Sequence, residues 1–64
     1  MIVNGEEKSL QSSVSVSDYL ISNKYNANAV VVEINGRIVP KGDYGKIILS
    51  DSDAIEVLAF IGGG

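Results

Sequence analysis

Ala29-Val30-Val31-Val32-Glu33-Ile34-Asn35-Gly36-Arg37-Ile38-Val39-Pro40 is the stretch on which the fold turns. Three consecutive β-branched valines favour a pleated strand, expected over residues 29–34. Asn35-Gly36 suits a two-residue hairpin, because both central positions of such a turn need positive φ. Ile38-Val39 opens the returning strand. Pro40 carries no N–H to add a rung, so that strand is expected to be short or at a sheet edge.

Towards the N-terminus, Ser15-Val16-Ser17-Asp18 fits a capping box with Asp in place of Glu. The Ser15 hydroxyl can accept from the Asp18 amide, and the Asp18 charge suits the positive end of the helix dipole. A helix is expected over residues 16–24, with Val16, Leu20 and Ile21 as its apolar stripe and Asn26 and Asn28 at its exit. Before it, residues 1–3 begin apolar and reach a second Asn-Gly pair, Asn4-Gly5. The return strand is expected near residues 7–11, with Leu10 on the core face.

Towards the C-terminus, residues 42–45 read as a loop or a single 3₁₀ turn and 47–49 as a brief apolar run. Asp51-Ser52-Asp53 is a polar turn, and residues 54–61 form a last strand before Gly62-Gly63-Gly64. The order is β-β-α-β-β-β, an α+β pattern in which one helix covers one face of one mixed sheet. The expected core is Val3, Leu10, Val16, Leu20, Val30, Val32, Ile34, Ile55 and Val57. Residues 1–61 are expected to form the domain and 62–64 a flexible tail, since glycine loses the most entropy on ordering and has no side chain to pack.

A chain of 64 residues holds one small core and buries only about 60% of its unfolded surface. Disulfides or a metal often support such small folds. Here there is no cysteine and no histidine, so thiolate and imidazole ligands are absent. The same absence weighs against an enzyme, because those residues supply much of the nucleophilic and acid–base chemistry near neutral pH. Asp51 and Asp53, two apart without further ligands, read as turn residues rather than a metal site. Net charge is −3, and Lys8, Lys24, Arg37, Lys41 and Lys46 are scattered, which argues against nucleic acid. The longest apolar runs are too short to span a bilayer, and no charged stretch precedes a long one as in a signal peptide. A soluble cytoplasmic domain is expected.

Along the last strand, Ile55, Val57 and Ala59 share one face and Glu56, Leu58 and Phe60 the other. One helix covers only one face. If Ile55 and Val57 lie beneath it, Leu58 and Phe60 stand on the open face and, with Glu56, form a candidate docking patch.

The stretch Val32-Glu33-Ile34-Asn35-Gly36-Arg37-Ile38-Val39-Pro40 resembles the ThiS family of thiamine-biosynthesis sulfur carriers. So does Asp51-Ser52-Asp53 followed by Ala54-Ile55-Glu56-Val57 and Phe60-Ile61-Gly62-Gly63-Gly64. Lys41 stands where arginine is frequent in that family, Tyr44 where tryptophan is, and Ser52 where glycine is usual. The resemblance implies a ubiquitin-like β-grasp fold with the first and last strands parallel at the sheet centre. It further implies that the chain binds no cofactor itself. A ThiF-like adenylating enzyme uses ATP to adenylate the Gly64 carboxylate, a sulfur donor converts it to a thiocarboxylate, and a ThiG-like thiazole synthase receives the sulfur. Gly62 and Gly63 suit the approach to such an active site: without a Cβ they pass a narrow channel, and three extended residues reach roughly 10 Å.

Two other functions fit parts of this pattern. The small subunit of molybdopterin synthase carries sulfur on a similar tail and would copurify with a larger subunit. A ubiquitin-like interaction module would use the sheet face without tail chemistry. Oxygen exchanged for sulfur, read by mass, separates a carrier from the latter.

Overall fold

The structure, a computed structural model, describes residues 1–10 and 12–59. Gln11, Phe60, Ile61 and the expected tail of Gly62, Gly63 and Gly64 lie outside the described residues.

Among the described residues the fold has five strands and one α-helix: β1 (Ile2–Val3), β2 (Glu6–Glu7), α1 (Val16–Ser22), β3 (Val30–Ile34), β4 (Arg37–Val39) and β5 (Ala54–Ala59). The sheet order is β2-β1-β5-β3-β4. β1 and β5 run parallel and the other neighbours antiparallel, so the sheet is mixed and the first and last strands meet at its centre. No helix among the described residues is long and apolar enough to cross a membrane.

Both Asn-Gly pairs form the turns their chemistry favours. Asn4 and Asn35 each sit at φ 51°, Gly5 at 84° and Gly36 at 85°. The first hairpin is tighter than the sequence suggests. The return strand is Glu6–Glu7, not residues 7–11, because a two-residue turn puts Glu6 directly opposite Val3. Leu10 therefore packs on the core from a loop and is only partly buried.

Ser15 caps α1 as its spacing predicts, its Oγ accepting from the Asp18 N–H at 3.0 Å. The helix ends at Ser22 rather than Lys24. Asn23 is its C-cap, and Lys24 turns left-handed at φ 65°. Asn26 starts a separate 3₁₀ turn, Ala27–Ala29, by accepting from the Asn28 N–H, and so β3 begins at Val30 rather than Ala29. Val16 and Leu20 are buried, whereas Ile21 is 66% exposed. At about 100° per residue, Ile21 is well off the Val16–Leu20 line.

The core gathers Val3, Val16, Leu20, Val30, Val32, Ile55 and Val57 as expected, with Ile34 partly buried at its margin. Met1, Val39, Tyr44 and Leu49 join it without having been expected there. Tyr44 is buried but keeps its polar end satisfied, its hydroxyl donating to the Val30 carbonyl at 3.3 Å. Residues 47–49 form no strand, only an isolated bridge from Ile48 to Ser15, yet they bring Leu49 inward. Each fully buried Leu or Val contributes roughly 1.5–3 kcal/mol relative to its exposed state.

Candidate functional site

β5 is the strand that leads to the three glycines, and both of its edges are paired. On one side β1 pairs Ile2 with Ala54 and Val3 with Ile55. On the other, β3 pairs along the strand from Ile34 opposite Ile55 to Val30 opposite Ala59. A central strand held this way is a rigid base for whatever follows it.

The alternation expected along β5 is present. Ile55 and Val57 are buried under the helix, and Glu56 and Leu58 are exposed on the opposite face. Ala59 shares the side of Ile55 and Val57 but is exposed, so burial stops at Val57. Phe60, the third expected member of the docking patch, is outside the described residues.

Strand register adds members that β5 alone could not reveal. Residues paired across a sheet share a face. Leu58 therefore stands beside Val31, Glu56 beside Glu33, and Ala54 beside Ile2. Glu33 is flanked on its other side by Ile38 of β4. Ile2, Ile38 and Leu58 are 45%, 69% and 57% exposed, so three large aliphatic side chains lie open on this one face. Between them sits the Glu33–Glu56 pair, and neither carboxylate has an ion-pair partner among the described residues. An apolar surface enclosing uncompensated negative charge suits a protein partner that presents both apolar and cationic groups.

Two asparagines bracket β5. At its start, Asn35 Oδ1 accepts from the Ala54 N–H at 3.0 Å while Nδ2 donates to Asp53 Oδ1 at 3.0 Å. At its middle, Asn4 Oδ1 accepts from the Val57 N–H at 2.8 Å, and Nδ2 donates to the Val57 carbonyl at 3.4 Å. The sequence marks both residues as turn formers; nothing in it marks them as side-chain partners of β5.

The turn before β5 is tied to the N-terminal segment through Asp51. Its Oδ1 accepts from the Leu10 N–H at 3.0 Å and lies 3.5 Å from the N-terminal ammonium. The Leu10 hydrogen bond chiefly holds the Asp51 carboxyl below its ordinary value of 3.8; desolvation opposes it and the ammonium adds to it. Asp53 caps the same turn, Oδ2 accepting from the Ser50 N–H at 2.9 Å. Neither aspartate belongs to a group of three or more metal-ligating side chains among the described residues.

The sequence model of the ThiS family matches residues 1–64. A sulfur carrier protein ThiS of Bacillus subtilis is 35% identical over 63 residues, covering 97% of this chain and 96% of that protein. A crystal structure of the thiamine biosynthesis protein ThiS from Geobacter metallireducens superposes with a TM-score of 0.82 at 33% identity, covering 98% of this chain and 96% of that one. A thiazole synthase of Paramagnetospirillum magneticum is 39% identical over 64 residues, and there this chain spans 20% of the relative's length.

Proposed function

The chain belongs to the ThiS family, and on that premise we propose that it is a sulfur carrier protein of thiamine biosynthesis. The observation that carries the proposal is the placement of β5: the strand feeding the glycines is clamped on both edges, and its uncovered face holds the exposed aliphatic patch. A partner can dock on that face while the C-terminal glycines enter its active site.

In this role the chain is a substrate, not an enzyme. A carboxylate is a poor electrophile because oxide is a poor leaving group. An oxygen of the Gly64 carboxylate attacks the α-phosphorus of ATP on a ThiF-like enzyme, pyrophosphate leaves, and an acyl adenylate forms. A sulfur donor at the level of sulfide then attacks the acyl carbon. AMP leaves and the thiocarboxylate remains. The sulfur passes to a ThiG-like thiazole synthase, and the similarity to one fifth of a thiazole synthase supports that acceptor. The chain binds neither ATP nor a metal on its own, and it works in the cytoplasm beside these enzymes.

The test is incubation with the cognate adenylating enzyme and ATP, followed by intact-mass measurement. One AMP attached to the C-terminus is the expected product, replaced by a sulfur-for-oxygen exchange when a sulfur donor is added. A chain that stays unmodified would overturn the assignment.

A further inference from the structure

We propose that Asn4 is a positioning residue for the C-terminal tail: its side-chain amide stands in for the missing continuation of β1 and locks β5 at Val57. The proposal rests on the carrier function and adds to it the part of the fold that aims the reacting end.

β1 is only two residues long. Its parallel ladder to β5 starts with the Ile2 N–H on the Asp53 carbonyl at 3.0 Å and continues with the Asn4 N–H on the Ile55 carbonyl at 2.9 Å. In a regular parallel ladder, the next rung would run from the Val57 N–H to the Asn4 main-chain carbonyl. The chain cannot supply it, because Asn4 turns left-handed at φ 51° to start the hairpin. The Asn4 side chain supplies it instead. Its Oδ1 takes the Val57 N–H at 2.8 Å, and its Nδ2 reaches the Val57 carbonyl at 3.4 Å. One carboxamide thus satisfies both main-chain polar groups of Val57, a donor and an acceptor that a strand would otherwise have paired.

Geometry makes this position matter beyond stability. Val57 is the last buried residue described on β5. A misplacement near 1 Å at the reacting end can cost about a hundredfold in rate. Among the described residues this carboxamide is the last hold on β5 from the β1 side, while β3 holds the strand as far as Ala59 on the other.

The experiment compares Asn4→Gly with Asn4→Asp. Glycine keeps the left-handed turn as Gly-Gly and removes the amide. Aspartate also tolerates that turn and keeps the acceptor for the Val57 N–H. Two readouts are taken: amide hydrogen exchange, and adenylation by the cognate enzyme as separate kcat and KM. In Asn4→Gly the Val57 amide should exchange about tenfold faster or more, while Leu20 and Val32 stay protected. In the same variant kcat should fall about tenfold with KM changed less than about threefold, because Ile2, Glu33, Ile38, Glu56 and Leu58 are all kept. Asn4→Asp should restore most of both. An Asn4→Gly chain adenylated at the wild-type kcat overturns the positioning role even if Val57 exchanges faster. A wild-type chain that takes no AMP overturns the carrier function itself, and the role of Asn4 with it.

Discussion

Glu33 and Glu56 stand directly opposite each other on β3 and β5, on the sheet face that the helix leaves uncovered. Like charges in that relationship destabilise a sheet by up to about 1 kcal/mol. Glu56→Gln should therefore raise stability by about 0.2–1 kcal/mol, read by denaturant unfolding. The same change should weaken binding to the adenylating enzyme, more at low salt than at high salt, if a cation of the partner meets this pair. Unchanged affinity at low salt would remove the pair from the interface.

Leu58 is one of the exposed aliphatic residues of the proposed patch and is not part of the buried core. Leu58→Ala should cost about 1–2 kcal/mol of partner binding, measured by calorimetry, and change stability by less than about 0.5 kcal/mol. Phe60→Ala is expected to weaken binding at least as much. A Leu58→Ala chain that binds normally but unfolds easily would place Leu58 in the fold rather than the interface.

Asp51 ties the last turn to the N-terminal segment, and acid should loosen that tie. Its carboxyl is held below its ordinary value of 3.8 in the folded chain, so folding favours the charged form. The stabilisation is complete above the unfolded value and is lost as pH falls through the lowered folded value, from about pH 4 downward. Asp51→Asn keeps an acceptor for the Leu10 N–H but has no proton to gain. The stability gap between wild type and Asp51→Asn should be widest above about pH 4 and close as pH drops, tracked by unfolding from pH to pH. The side chain is largely exposed, so added salt should shrink the gap.

Deletion of Gly64 separates the chemistry of the tail from the fold. The shortened chain should melt as wild type does, while its new end falls one residue, roughly 3.5 Å, short of the reacting position. Adenylation should then fall by at least about a hundredfold. Gly63→Ala keeps the length and adds one methyl; it should slow the reaction with little effect on melting if the partner channel is narrow. Normal thiocarboxylate formation on the Gly64 deletion would show that the reacting carboxylate needs no fixed reach.

What the sequence determined by itself was local. Asn4-Gly5 and Asn35-Gly36 named their turns, Ser15 named a helix start, Pro40 named a short edge strand, and alternation along 55–58 named which residues go inward. These signals act within a few residues, through φ preference, capping and side-chain period, so they can be read without a partner strand. Where they compete at close range, the sequence was less decisive: Lys24 left the helix early, and Glu6 entered the hairpin before residue 7. The tertiary structure alone decided which residues meet across strands. Ile2, Val31, Glu33 and Ile38 joined Leu58 and Glu56 on one face only once register was set, and Tyr44 and Leu49 reached the core from loops. Asn4 found Val57 for the same reason. Register and loop packing depend on contacts between residues distant in the chain, and no local period encodes them.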